Sequence, residues 1–113
     1  MEHTMHLCLE NKITSFDHAD IYGGYTTEAE FGAAFKQSGI PREHIQLISK
    51  CGIQYQAEIR ANTIKHYDYR KAYIIGSAEQ SIKNLQGEYL DVFLLHRPSP
   101  LMQADEIAEA VEQ

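Results

Sequence analysis

The chain has 113 residues, 43% of them hydrophobic and 23% charged, with a formal net charge of -6 and a pI near 5.4. This balance fits one soluble globular domain with a core of its own and excludes a disordered chain. The acidity argues against nucleic acid or an anionic membrane as partner, since both select clustered Lys and Arg; no apolar run approaches the roughly 20 residues of a membrane span.

The start, MEHTMHLCLE, has no basic stretch leading into an apolar one, so we read no signal peptide. Cys8 and Cys51 make no disulfide framework, and a reduced, cytoplasmic setting is the expectation. His3, His6 and Cys8 are close in sequence, but zinc sites usually show two spaced ligand pairs, and a tail or helix start is the simpler reading. Residues 7–12 read as the last turn of a helix.

Residues 13–16 read as a first short strand, and the chain turns at Gly23-Gly24. Thr27 with Glu30 fits a capping box for a helix that carries Phe31, Ala34 and Phe35 at i, i+3 and i+4. Gly39 and Pro41 stop it. Residues 44–49 form the second strand, which ends at Lys50-Cys51-Gly52. Cys51 beside a lysine could suggest thiolate chemistry, although a small packing residue is the plainer reading.

Residues 53–73 show no period and read as a long surface loop, with room for one helical turn, of a length that is often functional. Its Tyr67, Tyr69 and Tyr73 could shape a substrate mouth or form a surface cluster. Ser77 and Gln80 make a second capping pair for a helix with Ala78, Ile82 and Leu85 on one face, ended by Gly87. We place Phe31, Phe35, Ile82 and Leu85 in the core. Residues 89–95 are nearly continuous in apolar character, as suits a parallel strand covered on both faces. That strand stops at His96-Arg97-Pro98, where proline cannot donate to a ladder. After Pro100 a last helix has Ile107, Ala108 and Val111 on one side.

Strands alternating with helices imply right-handed crossovers and a parallel sheet. In such architectures catalytic groups gather at the carboxyl ends of the strands. Here the strand ends carry Asp17 and Tyr22, then Lys50, then His96. Loop geometry alone does not require an acid, a phenol, an amine and an imidazole at three such ends. A buried lysine beside a tyrosine favours the phenolate, and an aspartate keeps that lysine placed and charged. The tyrosine can then protonate a carbonyl oxygen as hydride arrives at carbon, while the imidazole orients that oxygen. Asp20 and His18 could alternatively propose a metal-dependent hydrolase, but no second histidine pair follows at a strand end.

FDHADIYG resembles the F-D-T-A-x-x-Y-G segment of the aldo-keto reductase family, with Asp17 and Tyr22 spaced as in that family. LISKCG resembles its strand-borne lysine motif, matching Lys50, and YLDVFLLHRP resembles its Y-x-D-x-x-x-x-H segment, matching His96. The resemblance runs over nearly the whole chain. It implies an α/β fold, a truncated (β/α)8 TIM barrel of parallel strands and helices, with residues 1–113 as one partial barrel segment. It further implies NADP(H)-dependent reduction of a small aldehyde or ketone. Tyr22 would be the proton donor, Lys50 and Asp17 its tuning pair, and His96 the carbonyl-orienting group.

Two positions depart from the family pattern: His18 stands where many relatives have threonine, and Ser99 where many have aspartate. A full barrel needs about 250 residues. The resemblance therefore implies that the cofactor's amide and phosphate contacts come from the missing half. The alternative is a catalytically inactive remnant that self-associates through exposed sheet edges. Channel-associated members of the same family, which bind partners through a reductase fold, are a third possibility.

Overall fold

A computed structural model describes residues 2–54, 66–97 and 102–113. Helix α1 (Glu2–Glu10) is longer than the last turn read from sequence. It buries Met5 and lays Leu9 against the aromatic face of α3 (Thr27–Ser38), where Phe31 and Phe35 stack. Gly39 closes α3 in the left-handed conformation, as expected. The capping box does not form. Thr26 takes the cap position and its hydroxyl donates to the carbonyl of Gly23 at 2.6 Å.

Three parallel strands form the main sheet in the order β1 (Ser15–Asp17), β2 (Gln46–Cys51), β5 (Val92–Leu95). Asp17 lies opposite Ile48, and Lys50 opposite Leu94. Each strand begins two or three residues later than its apolar run, so Lys50 is the penultimate residue of β2 rather than the residue after it. The 53–73 segment is not all loop. Its flanks pair as an antiparallel ladder, β3 (Ile53–Gln54) with β4 (His66–Tyr67). Its interior, including Tyr55, lies outside the described residues, as do Pro98, Ser99 and Pro100.

Helix α4 (Lys71–Leu85) starts well before Ser77, so the Ser77–Gln80 capping pair is wrong. The acceptors at its start come from elsewhere: Asp68 takes the Arg70 amide at 3.1 Å, and Glu106 of α5 (Ala104–Glu112) takes that of Lys71 at 2.8 Å. The helix ends at a left-handed Gln86, one residue before the expected glycine. Its buried stripe is Ile74, Ser77, Ser81 and Leu85; Ala78 and Ile82 are half-buried along the α4–α5 groove. Helix α5 docks through Ile107 and Ala110, leaving Ala108 and Val111 exposed, because Glu106 and Glu109 turn toward Lys71.

The helices cover one sheet face. Leu47, Ser49 and Cys51 alternate into it, each 0% exposed. On the other face Val92 and Leu94 are 43% and 44% exposed, so β5 is not covered on both sides as its apolar run suggests. The unpredicted element of this scaffold is Arg42. Its guanidinium donates to the carbonyls of Gly87, Ile45 and Tyr89 and to Asp91, and stacks 3.9 Å from the centre of the Tyr89 ring. Asp91 in turn accepts the Leu47 amide at 2.8 Å, which sets β5 against β2.

Candidate active site

All four residues singled out from sequence converge at the carboxyl ends of the parallel strands. Asp17 closes β1 and Lys50 stands next to it on β2, both side chains on the helix-free face. Lys50 Nζ donates to Asp17 Oδ1 at 2.7 Å and to the carbonyl oxygen of His18 at 2.8 Å. The lysine side chain is 12% exposed and the aspartate 59%. Solvent therefore screens the pair from one side, and its value is placement of the ammonium more than stability.

Tyr22 opens the short turn α2 (Tyr22–Tyr25), in which Gly23 and Gly24 both take positive φ. Glycine tolerates that conformation without a steric cost, and at Gly23 a Cβ would collide with Thr27 Oγ1. This reversal sends Tyr25 into the interior and leaves Tyr22 over the strand ends. Lys50 Nζ lies 5.4 Å from the Tyr22 ring centre, and the His96 ring meets Tyr22 edge-on at 6.2 Å.

His96 follows β5. Its amide donates to the carbonyl of Cys51 at 2.7 Å, while its Nδ1 is buried with no hydrogen-bond partner among the described residues. Burial holds this imidazole below its ordinary pKa, with the Lys50 and Arg97 charges adding to the effect. It is therefore neutral at pH 7, able to donate one N–H without carrying charge. His18 is driven further the same way: burial against Phe31, its ring edge-on at 4.4 Å, takes it down to about 4. His18 is a packed neutral wall beneath Lys50, and its carbonyl is what the site uses.

Asp20, read from sequence only as a weak metal ligand, is structural. Its carboxylate accepts from Tyr73 at 3.0 Å and Ser77 at 3.2 Å, and its amide donates to Lys50 O at 3.1 Å, so α4 is tied to the end of β2. The aromatic loop is thereby corrected. Tyr73 and the buried Tyr69 hold strand ends, and Tyr67 is the exposed member. Glu28, also buried, accepts from Ser49 Oγ, and burial pushes its carboxyl pKa up. Ser77 in α4's stripe and Ser49 on β2 were the sequence signal for these buried acids. Cys51 packs fully inside, its thiol pushed up to about 12 by burial, which excludes a thiolate at pH 7. His3 and His6 are exposed, and among the described residues no cluster could hold a metal ion. No helix there is long and apolar enough to cross a membrane.

The arrangement can hold a proton donor, its charge partner and a neutral imidazole around one small polar group. Comparison with known proteins gives the family and the fold. The chain matches the family model described as "Aldo/keto reductase family" over residues 1–113. It is 51% identical over 102 residues to the oxidoreductase YdhF of Escherichia coli, covering 90% of this chain and 34% of that protein. It is 48% identical over 106 residues to the uncharacterized oxidoreductase YcsN of Bacillus subtilis, covering 93% and 35%. Among solved structures it superposes on the holo form of aldo-keto reductase AKR11C1 from Bacillus halodurans with a TM-score of 0.81 at 32% identity, over 98% of this chain and 35% of that one. The chain thus spans about a third of the length of these relatives, and its fold is a partial (β/α)8 barrel.

Proposed function

Because the chain belongs to the aldo/keto reductase family, we propose that it carries the acid–base half of an NADP(H)-dependent site that reduces a small aldehyde or ketone, with Tyr22 as proton donor. The observation that carries this reading is the Lys50–Asp17 ion pair at 2.7 Å beneath the Tyr22 ring, with His96 closing the other side. When bound, NADPH would supply the hydride for the carbonyl carbon. Tyr22 gives its phenolic proton to the carbonyl oxygen, and the alcohol results. The Lys50 ammonium stabilises the phenolate left behind, and Asp17 keeps that ammonium charged and in place. A neutral His96 donates an N–H to the substrate oxygen and fixes its direction.

These groups fit the carbonyl end of such a reaction, and the buried, unpartnered Nδ1 of His96 fits a ring kept for something other than the fold. Lys50 is already held by Asp17, so the cofactor's phosphates fall to the rest of the barrel, supplied by a longer polypeptide or another chain. Two free cysteines suit a reducing, cytoplasmic setting. The test is NADPH fluorescence and turnover of simple aldehydes, measured on this chain and on the polypeptide extended by its adjoining reading frame. In the extended protein Tyr22→Phe is expected to keep NADPH binding and to lower turnover by about 100-fold or more. Undiminished turnover in that variant would refute the assignment.

A second reading is favoured by the bare sheet face. Parallel sheets are almost always covered on both sides, yet Val92 and Leu94 stand exposed on β5. A chain without the remaining barrel would bury them by self-association, as a non-catalytic module. Sedimentation at micromolar concentration is expected to show an oligomer. A compact, stable monomer would remove this reading.

A further inference from the structure

His96 poses a problem of placement. Its ring contacts Tyr22 edge-on, yet Nδ1 has no hydrogen-bond partner among the described residues, so no side-chain bond at that atom sets its direction. What the backbone supplies is the position from which the ring projects. On the amide side that position is set by the bond to Cys51 O at 2.7 Å. On the carbonyl side the partner is Tyr69. Its hydroxyl donates to His96 O at 2.8 Å and also approaches the carbonyl oxygen of Arg97.

We infer that Tyr69 is a positioning residue of this site, a clamp that fixes the backbone at His96 and Arg97 and so aims the imidazole at Tyr22. The inference rests on the functional reading above for its purpose, and on geometry alone for its existence. Tyr69 is 7% exposed and packs with Cys51, Ile74 and Ala110, so its ring cannot wander. Gly52, at φ +125°, makes room for it: a Cβ there would lie 2.2 Å from Tyr69 Cε1. The adjoining Asp68 amide bonds to Gly52 O at 2.6 Å, tying the ring's own backbone to the end of β2. Arg97 holds φ 76°, a left-handed conformation that a non-glycine residue keeps only when its surroundings impose it. Burial raises the Tyr69 phenol to about 12, so the clamp keeps its proton over the whole working range.

The test is an NMR titration of the His96 imidazole in the 113-residue chain, parent against Tyr69→Phe. That variant keeps the ring and removes only the donor. With the clamp gone, the His96 midpoint is expected to rise toward the ordinary imidazole value and its cross-peaks to the Tyr22 ring to weaken. Tyr67→Phe, at the exposed neighbour, is expected to change neither. An unchanged His96 titration and unchanged cross-peaks in Tyr69→Phe overturn the inference. Should that variant fail to fold, the parent still decides. A slowly exchanging Tyr69 hydroxyl proton with a cross-peak to the His96 or Arg97 backbone is expected, and its absence overturns the clamp. Neither readout needs cofactor or turnover, so failure of the reductase assignment and failure of the clamp are seen separately.

Discussion

Two glycines on facing helices should respond in opposite directions to the same added methyl group. Gly32 lies buried on α3 where it crosses α4, and a Cβ there would sit 1.9 Å from the carbonyl oxygen of Asn84 and 2.9 Å from the carbonyl carbons of Asn84 and Leu85. An ordinary carbon–oxygen contact is about 3.3 Å, so the helices must part by roughly 1.4 Å there. The obstructing atoms are helix backbone, which cannot rotate aside as a side chain can. Parting α3 from α4 also loosens Leu85 against Phe31 and Phe35.

Overpacking costs about 1–3 kcal/mol, and a rigid obstacle belongs at the upper end. Helix propensity returns up to about 1 kcal/mol for alanine over glycine. The net expectation for Gly32→Ala is therefore destabilisation by about 2 kcal/mol. Gly76, on α4, is exposed and has nothing within 4 Å of its would-be Cβ, so Gly76→Ala keeps only the propensity gain, about 0.5–1 kcal/mol. Urea unfolding followed by circular dichroism, at one fixed protein concentration in case the chain associates, separates the two. A Gly32→Ala midpoint equal to or above the parent's would refute the reasoning, because the close approach would then cost nothing.

Arg42→Lys should cost about 2–3 kcal/mol in the same assay. An ammonium cannot reproduce a fork that serves three carbonyls and Asp91, and the orphaned acceptors remain near the core. Acid should also weaken the fold through His18. Its pKa is about 4 in the folded chain against an ordinary 6.5, so the unfolded chain binds the extra proton first. Stability is full above about 6.5 and is lost as pH falls toward 4, by up to about 3 kcal/mol. His96 acts with the same sign, whereas Glu28, with its raised pKa, acts in the opposite sense: its contribution is lost as pH rises through that value. His18→Leu should flatten the fall between pH 6.5 and 4 in a series of urea midpoints; an undiminished slope would assign it to other groups.

That Asp17, Tyr22, Lys50 and His96 meet at one rim was legible in the sequence, because parallel strands deliver the groups at their carboxyl ends to one place. The alternation of strands and helices was legible for a related reason: apolar runs and their breaks record local burial. The first turn of α4 was not legible. Its amides are satisfied by Asp68 and Glu106, and the second of these is brought there by the packing of another helix, so the nearest local signal, Ser77–Gln80, pointed to the wrong start.

What the sequence determined by itself was which chemical groups the chain can bring to one edge, and in what order, since those depend on residue identity and short-range pattern. Tertiary structure alone decided what holds them. Tyr69 grips a backbone far along the chain, Arg42 joins three loop carbonyls, and Gly32 lets two helices touch. It also decided that Val92 and Leu94 on one sheet face stay exposed, where an apolar run had suggested cover on both sides. The reason is physical: a hydrogen bond or a close approach depends on where two distant segments meet, and neither segment records its partner's position.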